Sequence, residues 1–440
     1  MARALANAFV IGPWKAAALR ELGWQVLGAR HRWLASVVRA TLVGFPSPPD
    51  ADEGVVALAR LIETLRPFQA AFHQSARPVI RRWLSRPPSM GRSPWSVPPA
   101  ATVVELAQLL EVDVGQLEWL SDTRRYLRRA SSPQLAHYHR AWLPKRGGGH
   151  RLIEIPKPLI KSVQRRVLRR ILDAIPAHEC AEGFVLGRSA LSHAARHTGS
   201  SVLLCLDLED FFTSIPYRRV FRVFRAAGYP MSVARALAGL CTTALSAAEL
   251  GGMPRPQLAS DVPHHQRLRR NALQQHLPQG APTSPALANL CAFRLDCRLS
   301  SAARAAGLAY SRYADDLAFS AHGDAARRAR PFATLAAAIA IDEGFDVNFR
   351  KTRIMRPSAR QLLCGVVVNA HPNVSRPDYD RLKAILTNCR RHGVASQNLE
   401  QHADFRGQLR GRVAWVEAVA PARGAKLLAL LEAIDWGTTR

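Results

Sequence analysis

The stretch Ala309-Tyr310-Ser311-Arg312-Tyr313-Ala314-Asp315-Asp316-Leu317-Ala318-Phe319-Ser320 decides how the rest of the chain is read. Its apolar and aromatic flanks suit two short strands, and the adjacent acids suit the turn that joins them. Two carboxylates at a hairpin tip repel one another unless a cation lies with them, so the pattern points to a metal. A solvated Asp-Asp turn explains the tetrapeptide alone equally well. The decision rests on whether the chain supplies the other parts of a metal-dependent site.

Upstream, Val202-Leu203-Leu204-Cys205-Leu206 is a continuous apolar run, the pattern of a strand buried on both faces, and it ends in Asp207-Leu208-Glu209-Asp210-Phe211-Phe212. An acid at the end of a buried strand is a ligand position in sheet enzymes, with a helix N-cap as the structural alternative. Between the two acidic stretches, Gly251–Gln275 is rich in Pro and His and reads as a surface insertion. Leu277-Pro278-Gln279-Gly280-Ala281-Pro282-Thr283-Ser284-Pro285 then leads into a helix running through Leu299. Downstream we expect a helix over 332–343, a strand near Asp346–Phe349, an apolar strand over Leu362–Val368 and a basic, helical tail over 371–440.

Towards the N-terminus, Gly147-Gly148-Gly149 suits a hairpin tip followed by a strand ending at Pro156. Lys161–Leu172 is a basic amphipathic helix with Val163, Val167, Leu168 and Ile171 spaced for one buried face. Thr102 and Glu105 form a candidate capping box, and Arg124–Arg129 is a basic stretch. Residues 1 to about 84 read as helical, with Trp14, Leu19, Leu22, Val26, Leu34, Val37 and Val38 interleaved with Lys15, Arg20, Arg30, Arg32 and Arg39. Amphipathic packing explains that pattern; a nucleic-acid or partner face is the alternative. Proline-rich Arg86–Pro99 marks a linker and a domain boundary near residue 96.

Lys and Arg number 61 against 33 acids in 440 residues, a formal net charge of +28, while 48% of residues are hydrophobic. That balance excludes a disordered basic tail and describes a folded protein with a positive surface, whose natural partner is a polyanion such as nucleic acid. No apolar run reaches about 18 residues, so no membrane partner is expected. The first ten residues make a weak signal peptide, and seven cysteines without a CxxC pair suit a reduced, cytoplasmic protein.

Phosphoryl transfer to a nucleotide uses two divalent ions about 3.5–4 Å apart, and carboxylates from two strands can hold them. Asp207, Asp315 and Asp316 would be those carboxylates. At these residues the chain resembles the reverse transcriptases, in order, over roughly residues 100–437. Asp207-Leu208-Glu209-Asp210-Phe211-Phe212 resembles the first catalytic block, Leu277–Pro285 the second and Tyr313-Ala314-Asp315-Asp316 the third. Phe345-Asp346-Val347-Asn348-Phe349-Arg350-Lys351-Thr352 resembles the fourth, and Leu363-Cys364-Gly365-Val366-Val367-Val368-Asn369 the primer-grip hairpin. Five blocks in order and at the right spacing make chance negligible.

The resemblance implies an α+β, right-hand polymerase. It would have an N-terminal helical extension and linker (1–96), fingers (97–200), a palm with an antiparallel sheet (201–370, insertion about 245–275) and a helical thumb (371–440). It implies RNA-directed DNA synthesis with two Mg2+ ions, or Mn2+ in their place, held by Asp207, the Leu208 backbone carbonyl, Asp315 and Asp316. It gives Lys351 the role of general acid for pyrophosphate, a solvated charge being the alternative. Arg151 would neutralise the triphosphate, a choice over Lys145 and Arg146 that rests on the family pattern. Asp210, Phe211, Phe212, Gln279 and Gly280 would bind the nucleotide, with Phe212 excluding a 2′-hydroxyl and Gly280 permitting close backbone approach.

Within that family the sequence is most similar to the bacterial retron group. Gly183–Ser189 followed by His193-Ala194-Ala195-Arg196-His197 looks like the group's extra block, usually Asn-Ala-x-x-His, so His193 departs while Ala194 and His197 match. The usual Val-Thr-Gly stands here as Leu363-Cys364-Gly365. Val374-Ser375-Arg376, Asp380-Arg381-Leu382, Arg406–Arg412 and Ile434-Asp435-Trp436 resemble the retron thumb, with no room after it for maturase and endonuclease regions. The group implies RNA contacts by Lys161, Arg165, Arg188, His197, Arg376 and Arg381. It implies a dedicated structured RNA as template and primer, deoxynucleoside triphosphates as substrates, a small DNA product joined to the RNA and an effector protein that acts during phage infection. Another stand-alone reverse transcriptase, or a non-catalytic RNA-binding scaffold, are the alternatives.

Overall fold

The computed structural model describes residues 1–49, 52–73, 77–84, 87–126, 134–145, 149–256 and 258–436. Arg86, the basic residues 128 and 129, Arg146 and the glycines 147 and 148 lie outside them. Two compact units are distinguished, one of Met1–Pro94, Pro99–Val114 and Phe224–Arg235, the other of Trp95–Pro98, Gly115–Val223 and Ala236–Arg440.

The first unit carries helices α1 (Ala2–Phe9), α2 (Ala16–Leu27), α3 (Trp33–Gly44), α4 (Asp52–Thr64), α5 (Arg66–Ala71) and α6 (Val103–Leu109). Leu19, Val26, Leu34, Val37 and Val38 are buried in one core with Leu5, Phe9, Leu58 and Ile62, and Trp14 and Leu22 pack against it. Lys15, Arg20, Arg30 and Arg39 are exposed, so periodicity sorted the two faces as amphipathic helices require. Thr102 caps α6 by accepting from the Glu105 amide at 3.1 Å, and Glu105 accepts in return from the Ala101 amide rather than that of Thr102.

The second unit is mixed α and β. Helix α7 (Val114–Ser121) leads to an antiparallel pair, β1 (Tyr138–Pro144) and β2 (His150–Pro156), and then α8 (Pro158–Arg170) and α9 (Ala190–Ala195). On α8 Ile160, Val163 and Val167 are buried, while Leu168 is only half-buried. The central sheet is antiparallel, with β3 (Val202–Glu209) in its middle, β5 (Asp316–Ala321) on one side followed by β4 (Ala309–Tyr313), and β6 (Asp346–Val347) and β7 (Arg353–Met355) on the other. Between β3 and β4 run α10 (Tyr217–Ala226) and α11 (Met231–Cys241), of which residues 224–235 belong to the first unit, then α12 (Ala247–Gly251), α13 (Val262–Leu273), α14 (Ser284–Cys291) and α15 (Phe293–Ala306). Helix α16 (Ala329–Asp342) packs on the sheet through Phe332, whose ring meets Phe319 edge-on at 5.0 Å.

Two expectations are corrected here. Leu362–Val368 is not one strand but a hairpin of β8 (Leu362–Leu363) and β9 (Val366–Val367). Cys364 and Gly365 both take positive φ (47° and 84°), the twist that a two-residue hairpin turn demands. Asp346–Phe349 is strand only to Val347 and then a 3-10 turn over Phe349–Lys351. The tail forms α17 (Arg376–His392), α18 (Phe405–Val419) and α19 (Pro421–Glu432), which share one core with β8, β9 and Leu203 of β3. No helix among the described residues is long and apolar enough to cross a membrane.

Candidate active site

The end of β3 and the β4–β5 turn bring the sequence-predicted acids together. Asp207 pairs with Asp316 across β3 and β5, and Tyr313 pairs with Asp316 across β4 and β5, so Ala314 and Asp315 alone form the turn. Asp316 thus opens β5 instead of completing the turn. Ala314 sits at φ 56°, the left-handed conformation of a tight primed turn. The Leu208 amide donates to the Asp315 carbonyl at 2.9 Å and ties this turn to β3.

A buried layer fixes the turn from below. Arg312 is fully buried and donates to both Asp296 oxygens (2.8 and 2.6 Å), to Asn289 Oδ1 and to the Ala314 carbonyl (3.0 Å each). Tyr310 donates its hydroxyl to Asp296 as well, at 2.8 Å. A charge pair withdrawn from water persists only when its donors are matched in this way. Asn289 also donates to the Gly183 carbonyl at 2.9 Å, and a Cβ on Gly183 would lie 2.7 Å from the Ala314 amide. Glycine there is a requirement of the turn's neighbour.

Next in the layer, His193 Nδ1 lies 2.8 Å from Ser311 Oγ, and His197 lies 2.7 Å from both Ser311 and Ser320 Oγ. Burial pushes His193 down to about 4 and His197 to about 3, so both are neutral. His197 is fully buried, which corrects its assignment as an RNA contact: it is part of the floor under the hairpin. The other five residues of that group differ in placement. Arg165 and Arg381 are exposed, and Lys161 is half-buried. Arg376 is exposed beside Asp380 at 3.6 Å. Arg188 donates to the carbonyls of Glu179 and Ala181, holding the loop that carries Gly183.

Asp207 and Asp315 line a cavity of about 1200 Å3, and Lys351 Nζ lies 2.9 Å from Asp207 Oδ1. Burial raises Asp315 above the usual carboxylate range, and the charge of Asp207 adds to the effect. Asp316 lies outside that lining, with Cys364 Sγ 3.9 Å from its Oδ2. Burial, then Asp315 and Asp207, push Asp316 up to about 6. Carboxylates so raised are short of positive charge, and hard oxygen donors suit Mg2+. Among the described residues no group of three His, Cys, Asp or Glu side chains is drawn together as a metal site. Mg2+ is compatible with that, since it takes one or two carboxylates and completes its shell with water and substrate phosphates.

The same cavity gathers most of the expected nucleotide contacts. Arg151 lines it from β2, and Lys145, Asp210, Phe211, Phe212 and Gln279 line it from other segments. Asp210 is at φ 47°, with Lys145 Nζ 3.1 Å from Oδ1 and His264 Nε2 2.8 Å from Oδ2. Burial by itself would raise Asp210; His264 and Lys145 outweigh it and hold the carboxyl below its usual range. Phe211 is buried with its ring 5.6 Å from that of Phe345, while half-buried Phe212 lies 6.2 Å from Phe184. Gly280 lies outside the lining: at φ 137° its Cβ would meet the Glu154 carbonyl at 2.7 Å. The close approach it permits in this structure is that of β2.

Sequence reasoning missed Arg312, Asp296 and Asn289, whose only signal is charge and amide amid apolar periodicity. It also missed α13. The segment read as a surface insertion places His264 and Arg267 in the cavity, with Arg267 paired to Glu209 and, at 3.1 Å, to Asp346.

Over residues 143–377 the chain matches the family described as reverse transcriptase (RNA-dependent DNA polymerase). It is 38% identical over 340 residues to the retron Mx65 reverse transcriptase of Myxococcus xanthus, covering 76% of this chain and 72% of that one. To the retron Mx162 reverse transcriptase of the same organism it is 34% identical over 348 residues, 75% and 66% of the two chains. The retron Ec86 reverse transcriptase of Escherichia coli is 33% identical over 236 residues, 53% of this chain and 63% of that one. This family uses divalent metal ions. The acids at the end of β3 and in the β4–β5 turn fall inside the matched region, and the chain belongs to the reverse transcriptases, as an RNA-directed DNA polymerase of the bacterial retron type.

Proposed function

We propose that the protein copies part of a dedicated structured RNA into a small DNA that stays joined to that RNA. The observation that carries this is the meeting of Asp207 and Asp315 in one cavity walled by Lys145, Arg151 and Lys351. In this reading residues 97–200 are the fingers, 201–370 the palm and 371–440 the thumb, with 1–96 as an N-terminal extension. The central sheet and the three-helix tail support that division.

Two Mg2+ ions, or Mn2+ in their place, would be held by Asp207, Asp315 and the Leu208 carbonyl, with Asp316 completing the acidic cluster. When bound, such ions activate the attacking 3′-oxygen and neutralise the triphosphate. The remaining work falls to the chain. Lys145 and Arg151 draw the triphosphate in, and the Asp210–Phe211 backbone and Gln279 orient the nucleotide. Phe212 fills the space a 2′-hydroxyl would need, favouring deoxynucleotides. Lys351, already 2.9 Å from Asp207, is placed to give its proton to the leaving pyrophosphate.

Arg165, Arg381, Arg376, Lys161 and Arg188 are the RNA contacts of this reading, without His197. The net charge of +28 suits a protein that stays on a folded RNA, with affinity falling steeply as salt rises. Priming is from a guanosine 2′-hydroxyl, and the RNA–DNA–protein assembly guards an effector protein in the cytoplasm during phage infection. Sequencing the nucleic acid that co-purifies from the native host tests this. A single RNA species joined through a 2′ linkage to a short DNA is expected; a bulk RNA population with no attached DNA would contradict it.

A further inference from the structure

The segment between the first two catalytic blocks does not lie idle on the surface. Helix α13 is anchored to the catalytic region at two points. Arg267 pairs with Glu209, at the end of β3, and with Asp346 of β6 at 3.1 Å. Asp261, just before the helix, pairs with Arg350 at 3.2 Å. These anchors hold one side of the helix against the cavity that contains Asp207 and Asp315. His264 is one turn before Arg267, on the same side, and its Nε2 lies 2.8 Å from Asp210 Oδ2.

Asp210 is thereby shared. Lys145, at the end of β1, meets one of its oxygens and His264, on α13, meets the other. Lys145 donates to one oxygen and the His264 ring lies 2.8 Å from the other, on a carboxylate that is itself 8% exposed. A triphosphate entering this cavity carries far more negative charge than a single carboxylate, and both donors can turn from Asp210 to phosphate oxygens without leaving it. Arg267, held between two acids, is an anchor and not a free donor.

We propose that α13 is a wall of the nucleotide pocket and that His264 is a further triphosphate-binding residue. It acts together with Lys145, and Arg267 acts as the positioning residue that fixes the helix. This rests on the reading of the cavity as the nucleotide pocket, and the test separates the two. In the full-length protein with a template–primer, His264→Ala raises KM for deoxynucleoside triphosphates about five-fold with kcat changed less than about two-fold. His264→Gln, which keeps a donor, restores at least half of that loss. The inhibition constant of inorganic tripolyphosphate, which has no base or sugar, rises by the same factor in His264→Ala. Arg267→Ala raises KM similarly, and the His264→Ala/Arg267→Ala double variant is no worse than either single one. Arg151→Ala is the control. An unchanged KM in His264→Ala with a raised KM in Arg151→Ala overturns the role of α13 and leaves the pocket where it is. An unchanged KM in both overturns the pocket reading itself. A fall in kcat at constant KM also overturns the proposal.

Discussion

Two sets of elements bear on the catalytic turn, and they are built on different principles. The floor, made by α9, β4 and α15, is sealed: Arg312, Asp296, His193 and His197 are each 0% exposed, and nearly every polar atom there is matched by another protein atom. The wall, made by α13 and the end of β1, is open. Arg267 and His264 keep 24% and 26% of their side chains in solvent, and their partners are acids of the cavity itself. A sealed polar layer fixes a shape because any rearrangement strands a buried charge. Ion pairs partly open to water exchange partners at less cost than sealed ones. Floor residues are therefore expected to act on stability, and wall residues on substrate affinity.

The sharpest break of that division is Arg312→Met. It leaves the Asp296 carboxylate buried without its cation, so urea denaturation should show a loss of about 3–5 kcal/mol. Adding Asp296→Leu should recover most of it. A loss below about 1 kcal/mol would mean that the floor is not sealed.

Acid is the second probe. His193 and His197 are held neutral down to about 4 and 3 by burial, whereas in the unfolded chain they take up a proton from about pH 6.5 downward. The unfolded state therefore binds more protons between those limits, and the stability present above pH 6.5 is lost as pH falls towards 4. At pH 5 each histidine should account for about 2 kcal/mol of the loss relative to pH 8. In His197→Gln the denaturation free energy should fall by correspondingly less over the same range; an unchanged pH slope would contradict the assignment.

The smallest effect belongs to the wall. Arg267→Ala should cost about 1 kcal/mol or less in the same denaturation experiment, because the pair it breaks is partly hydrated. A loss like that of Arg312→Met would move α13 from the wall into the core.

The same contrast explains what could be read from the chain. The hairpin at 313–316, the apolar strand at 202–206 and the ordered blocks around them are legible because backbone pairing and burial leave a period in the sequence. Arg312 and Asp296 leave none, since each is one charged residue in an otherwise apolar pattern, and their match across 16 positions appears only when α15 lies against β4. His197 was assigned to an exposed contact and is buried, whereas His264 was read only as part of a surface segment. A histidine just past a short helix is compatible with an RNA contact or a neutral core group, and only the facing Ser311 and Ser320 distinguish them. The Pro- and His-rich composition of 251–275 reports solvent exposure correctly for part of α13 but cannot report which residues Arg267 pairs with. Gly280 shows a third kind of limit: the need for glycine is legible, the neighbour that imposes it is not.

The most direct measurement is primer extension by Asp315→Asn, with RNA affinity determined on the same preparation. Asp315 lies in the turn beside the end of β3 and lines the cavity with Asp207. Extension should fall by about a thousand-fold or more, from the loss of charge at the reacting oxygens, while RNA affinity changes less than about two-fold. Extension within about ten-fold of the unsubstituted protein would contradict the assignment of this turn as the catalytic centre.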